Sequence, residues 1–145
     1  MLKKKNQSGS ALLEALISVV IFAIGVIGIG LFQAKLLKSD VASGLRLGAS
    51  NYAINLSSLV TADPENVYCY VSTASANCAT PASLASYTVW HDDFMANIPN
   101  AIEPVVTYTS VTAGVNPGQY SVTLSWKQAK EATVHKYVYI SQLGW

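Results

Sequence analysis

The sequence is short of charge and of the residues that build metal and catalytic sites. Of its 145 residues only 12% are Asp, Glu, Lys or Arg, about half the usual share, while 51% are apolar. Two histidines and two cysteines leave no CxxC pair and no spacing that suits zinc. No GxSxG, HExxH, phosphate-loop or EF-hand pattern occurs, so hydrolase, metalloprotease, nucleotide and calcium chemistry have no motif to rest on. His91-Asp92-Asp93 is the one titratable run, and adjacent residues of a helix do not share a face, so it reads as a solvated surface. His135 stands alone in a strand pattern. No cofactor and no metal are expected. Proline is missing before Pro64, so nothing in that stretch forbids a long helix.

The net charge of +1 rests on Lys3, Lys4 and Lys5; a chain starting at Ser10 would carry −2. Charge of that size does not steer phosphate strongly, and no direct nucleic-acid partner is expected. Lys127, Lys130 and Lys136 lie close in sequence and leave room for a local basic patch only.

What the chain has in excess is grease, and it is local. The opening MLKKKNQSG is followed by SALLEALISVVIFAIGVIGIGLF, where Glu14 is the only ionisable side chain. Ala15 to Phe32 contains no charge and would span roughly 27 Å as a helix, close to the thickness of a bilayer core. Lysines 3 to 5 against Lys35 and Lys38 favour a cytoplasmic N-terminus. A secretory signal would place a small-residue cleavage site after the apolar run, but the helical pattern continues through that region. A carboxylate at the centre of a membrane helix costs on the order of 3 kcal/mol and usually marks a partner; near the interface it can snorkel instead.

These residues resemble the class III leader and helix start of type IV pilins and pseudopilins: a short basic leader ending in Gly, then an apolar helix with Glu at its fifth position. The resemblance implies that Gly9 is the last leader residue and Ser10 the new, N-methylated terminus, cut by a prepilin peptidase on the cytoplasmic side. It implies that Glu14 pairs with the N-terminal amine of a neighbouring subunit as the helix enters a filament. The partners implied are other major and minor pilins, the peptidase, the inner-membrane assembly platform and the membrane lipid. Ser10 replaces the commoner Phe, and Gly25, Gly28 and Gly30 stand where many major pilins carry a helix proline. Both departures point to a minor subunit, with short stretches most like the minor pilins of PilV type. The implied localisation is the inner membrane before assembly and a filament at the cell surface afterwards. The rivals are an I-type pseudopilin of type II secretion and a bitopic binding protein with an uncleaved anchor.

Beyond Phe32 the apolar positions thin to a stripe, Leu37, Val41, Leu45, Ala49, Tyr52, Leu56 and Leu59, at helical spacing. The helix is expected to stop near Val60, because Asp63-Pro64 opposes it. The stretch from Pro64 to Pro81 reads as a loop with a short strand at Val67 to Val71. It holds Cys69 and Cys78, which in an oxidising compartment would close a loop worth about 2 to 3 kcal/mol and otherwise remain two thiols. Leu84, Tyr87, Trp90 or His91, Phe94 and Ile98 predict a second helix. VVTYTSV, QYSVTLSWK and VHKYVYIS, with the turn-rich AGVNPG between the first two, alternate as three antiparallel strands. The expected fold is α+β, a long N-terminal helix packed on a small antiparallel sheet. Its divisions are a leader at 1–9, a membrane or filament-core helix at 10–32, an amphipathic continuation at 33–62 and a globular head at 63–145.

Overall fold

The computed structural model describes residues 8–73, 78–110, 118–129 and 131–143. The described chain is α+β: helix α1 (Ser8–Ala62), a 3₁₀ segment (Pro64–Tyr70), helix α2 (Pro81–Asn97) and strands β1 (Ala101–Thr109), β2 (Gln119–Lys127) and β3 (Val134–Gln142). It divides into two units, Met1–Val41 and Ala42–Trp145. Lys3, Lys4 and Lys5, the AGVNPG turn apart from Gly118, and Lys130 lie outside the described residues.

The first unit contains the N-terminal part of α1, and every residue from Ser10 to Val41 is exposed. The second is the head. There the last turns of α1 present Ala49, Ala53, Leu56 and Val60, each fully buried, at the spacing that puts them on one face. They meet alternate residues of β2, Tyr120, Val122, Leu124 and Trp126, which are all at most 1% exposed. Small residues on the helix allow the approach. At Gly48 the neighbour is Ile98, just after α2, whose Cδ1 would lie 3.3 Å from an added Cβ. Ser50 and Ser57 carry the contact to the side, with hydroxyls 3.1 and 3.4 Å from those of Tyr137 and Tyr139 on β3.

Burial starts further along α1 than the sequence stripe suggests. Leu37 and Val41 belong to that stripe by spacing, yet they are 68% and 60% exposed. Tyr52 and Leu59 flank the buried face instead of lying in it. The helix ends at Ala62, two residues beyond Val60, where Asp63 donates its N–H to the carbonyls of Leu59 and Val60 and Pro64 opens the 3₁₀ segment. The strand expected at Val67 to Val71 is absent: Pro64–Tyr70 winds as 3₁₀ helix. Proline at its start fixes φ, and burial of Val67, Cys69 and Tyr70 suits the short three-residue repeat.

Helix α2 begins with Pro81 at its first turn and buries Ser83, Tyr87, Trp90 and Phe94. Trp90, not His91, faces the core, and its indole N–H donates to the Tyr52 carbonyl at 3.0 Å. Ser83 is buried because its hydroxyl donates to Asp63. That carboxylate also accepts from Asn66 at 2.7 Å and from Tyr70 at 3.2 Å, so one side chain ties the ends of two helices and the segment between them. The disulfide Cys69–Cys78 closes the same region, with Cα atoms 4.6 Å apart.

The sheet is antiparallel in the order β1-β2-β3. β1 starts at Ala101, earlier than the alternation from Val105 suggests, because Pro104 falls at a register shift between Ile102 and Val105. A proline is tolerated at such a bulge on an edge strand. Ser72 protects that edge: its N–H donates to Val106 O and its hydroxyl to Pro104 O, each at 3.0 Å.

Two measurements on the full chain in detergent check this packing. Leu56→Ala should destabilise the head by about 2–5 kcal/mol, read by near-UV circular dichroism during unfolding, since its site is enclosed by helix and sheet. Hydrogen bonds from Ser83, Asn66 and Tyr70 hold the Asp63 carboxyl below its ordinary range, against the opposing effect of burial. Its contribution is therefore present above about pH 4 and lost as pH falls through the lower folded value. Asp63→Asn should be less stable than the native chain at neutral pH, and the gap should close in acid.

Candidate functional site

The feature with the strongest demand on its surroundings is the N-terminal part of α1. Its most apolar 18-residue window has a mean hydropathy of 2.8 and none of it is buried, so the helix is long and apolar enough to cross a membrane. Leu12, Leu13, Ile17, Ile21, Phe22 and Ile29, between 49% and 74% exposed, are spread around its circumference. A helix apolar on all sides needs lipid or other protein around it.

Gly9, Ser10 and Glu14 lie on the first turns of this helix. Ser10 and Glu14 are four residues apart and share a face. Among the described residues no hydrogen bond or ion pair reaches the Glu14 carboxylate, although the Glu14 carbonyl accepts from the Ser18 hydroxyl at 2.8 Å. That bond satisfies a hydroxyl which would otherwise sit unpaired on an apolar surface.

His91 is bracketed by carboxylates, Nδ1 3.0 Å from Asp92 and Nε2 3.0 Å from Glu103, which joins α2 to β1. The Asp92 contact is possible although neighbours do not share a helix face, because the two side chains turn toward each other at the surface. Glu103 could not be foreseen, being brought in from another element. These bonds, Asp92's foremost, raise the His91 pKa against the effect of burial and favour the imidazolium. With both nitrogens engaged by carboxylates, the ring clasps α2 to β1.

His135 is not alone. Its Nε2 lies 2.8 Å from Glu131, and the ring stacks on Trp126 with centroids 6.0 Å apart. Spacing gave no signal for this pair, because Glu131 lies in coil and His135 on β3, where the i,i+4 rule of helices does not apply. Lys127 and Lys136 are diagonal neighbours on the outer sheet face, since Lys127 pairs with Val134 and Ser125 with Lys136. Lys130, the third lysine of the expected patch, lies outside the described residues. Among the described residues no group of three or more His, Cys, Asp or Glu could hold a metal ion.

Residues 4–30 match the family model of the prokaryotic N-terminal methylation motif. The chain matches no curated protein and no solved structure. The motif covers Gly9, Ser10 and Glu14 and supports a type IV pilin-like or pseudopilin-like subunit. Such a leader implies processing by a prepilin peptidase and assembly with other pilins, and the apolar helix is consistent with insertion in the inner membrane first.

The His91 clasp gives a pH test in the head. With its pKa raised, its contribution is full below about pH 6.5 and is lost as pH rises through the folded value. Replacing it in His91→Gln should therefore cost more thermal stability at pH 5.5 than at pH 9, a difference that unfolding of the two proteins at both values measures.

Proposed function

We propose that the chain is a minor type IV pilin, of PilV type, that copolymerises through α1 and helps to initiate, modify or decorate a pilus. The observation that carries this reading is the match of residues 4–30 to the methylation motif on a helix whose apolar surface has no cover. On this reading residues 1–9 are removed between Gly9 and Ser10, and the amine of Ser10 is methylated. The helix then stays in the inner membrane with its N-terminus in the cytoplasm until assembly. Glu14 meets the N-terminal amine of a neighbouring subunit. Two opposite charges in a low-dielectric medium compensate each other only when held close, so the pairing selects one axial position out of many that grease alone would allow.

Ser10 in place of Phe, and glycines in place of the helix proline, favour a minor over a bulk subunit. The head has the disulfide and compact core of an exported domain, and its role is structural. A pseudopilin would use the same helix; loss of piliation and twitching in a deletion strain, with secretion intact, favours the pilus.

Mass spectrometry of protein from cells with a prepilin peptidase should find a mature chain beginning at Ser10, and a mature chain beginning elsewhere sinks the reading. Glu14→Ala should be cleaved normally yet drop at least tenfold in sheared filaments. Normal incorporation would remove Glu14 from assembly.

A further inference from the structure

The two edges of the sheet differ. β1 carries Pro104 and a register shift, and Ser72 bonds along its outer side. β3 has no proline, and its nine residues pair with β2 without a break, from Lys127↔Val134 to Gln119↔Gln142. Its other side meets no strand among the described residues. The parity of the ladder identifies which groups are left over. Leu143 donates its N–H to Gly118 O at 3.1 Å, so the register makes Tyr120–Ser141, Val122–Tyr139, Leu124–Tyr137 and Trp126–His135 the pairs that exchange bonds. Lys127, whose N–H goes to Asn100 O on the β1 side, agrees with this parity. Val134, Lys136, Val138, Ile140 and Gln142 therefore turn N–H and C=O to the open side, where these groups have no partner among the described residues. Their side chains stand on the outer face, with Val138 and Ile140 53% and 57% exposed. A long, regular edge is ordinarily blunted by a bulge, a proline or charges. Lys136 is the only Lys, Arg, Asp or Glu on β3.

The inner side of the same edge is also open. α2 covers one flank of the last turns of α1, through Tyr52 and Trp90. On the other flank Ile54, Ser57, Ser58, Thr61 and Ala62 line a groove of about 360 Å³ together with Tyr139 of β3. Ile54 is 49% exposed. The inward side chains of one more strand beside β3 would fall on this groove, because Tyr139 already points to that face.

We propose that β3 takes an extended segment of a neighbouring, different pilin subunit as a fourth strand of the sheet. Main-chain complementarity selects this occupant. A row of donors and acceptors at strand spacing is answered by another extended backbone, and by neither lipid nor a helix, whose own groups are spent internally. Side chains narrow the choice. On the outer face the segment sets β-branched or aliphatic residues beside Val138 and Ile140 and a carboxylate beside Lys136. On the inner face it sets small, aliphatic or hydroxyl-bearing residues into the groove. The inference rests on the filament reading, which supplies other pilins as neighbours.

The test uses the full chain in a piliated host. The photo-crosslinker p-benzoylphenylalanine replaces Val138, Ile140 or Gln142, one at a time, and the residue captured on illumination is mapped by mass spectrometry. The captured residues should advance along one segment of another pilin by about two per step, as in paired strands. A step of about four overturns the inference: it means a helix lying on the face, since about four helical residues rise as far as two strand residues. Val138→Pro removes an outward N–H and no bond to β2, so it should cut capture from position 142 at least fivefold while the near-UV circular dichroism of the head is unchanged. Ile140→Lys, which leaves the backbone intact, should do the same, and it decides alone if the proline unfolds the head. Capture indifferent to the blocking substitution, or equal capture of that segment from Val105 on the outer face of β1, overturns the inference. So does capture of β3 of a second copy, or of a protein that is not a pilin. Sheared filaments are probed for the chain in parallel. If it is present there and no stepwise capture occurs, the edge inference fails while the filament reading stands. If it is absent and nothing is captured, both fail.

Discussion

Everything in this chain is arranged around a helix that cannot be left in water. Residues 10–41 are exposed throughout, and the apolar side chains among them cover the whole circumference, so no single packed neighbour would suffice. At roughly 25 cal/mol per Å² of apolar surface, covering such a helix outweighs any one contact in the head. Hydrophobic cover is also non-directional: lipid tails and neighbouring apolar helices satisfy it equally well. That indifference suits a subunit which is first held in a bilayer and afterwards moved into a protein assembly, because the move exchanges one cover for another at small net cost.

The consequence for the head is that it must hold together with only the last turns of α1. Four small or medium side chains at i, i+4, i+7 and i+11 bring the helix against the middle strand, and the rest of the core is filled from α2 and the sheet. A domain of this size has little surplus burial, so cross-links matter. Asp63 and the disulfide fall in the same region, where α1 stops and α2 has yet to begin. One holds the segment by hydrogen bonds to a carboxylate; the other limits the freedom of the unfolded loop. The buried Trp126 indole N–H has no partner among the described residues, a cost that the core carries without visible compensation.

How far the sequence could be read depended on whether the signal was local. The long helix and α2 were legible because their helical spacing ends at Pro64 and Pro99, and the three strands because their residues alternate. The 3₁₀ segment was missed because Val67 to Val71 is a run of Val, Tyr and Cys, strand-favouring types that imitate a short strand. The early start of β1 was missed because Pro104 argues against a strand until the bulge that accommodates it is seen. Partners from distant elements, such as Glu103 for His91 or Ser83 for Asp63, leave no trace in spacing. Glu14 stands out for the opposite reason: a carboxylate in an apolar run violates the local rule, and violations of that kind concentrate where function is.

Grease and charge then divide the work along α1. Apolar surface gives the helix affinity for its surroundings but no register, since sliding by a turn exchanges one Leu, Ile or Val for another. Charges supply register, because a misplaced carboxylate in hydrocarbon costs several times what a misplaced methyl does. Between Ser10 and Val41 there are few of them: Glu14 near the start, and Lys35, Lys38 and Asp40 beyond the span. Glu14 and Lys35 are 21 residues apart, roughly 31 Å along a helix. A neighbour that answered only one would still be free to tilt or rotate about that contact. A neighbour that answered both would be fixed in height and in azimuth, and an apolar run of about this length between them is what lets a single subunit be held at two levels at once.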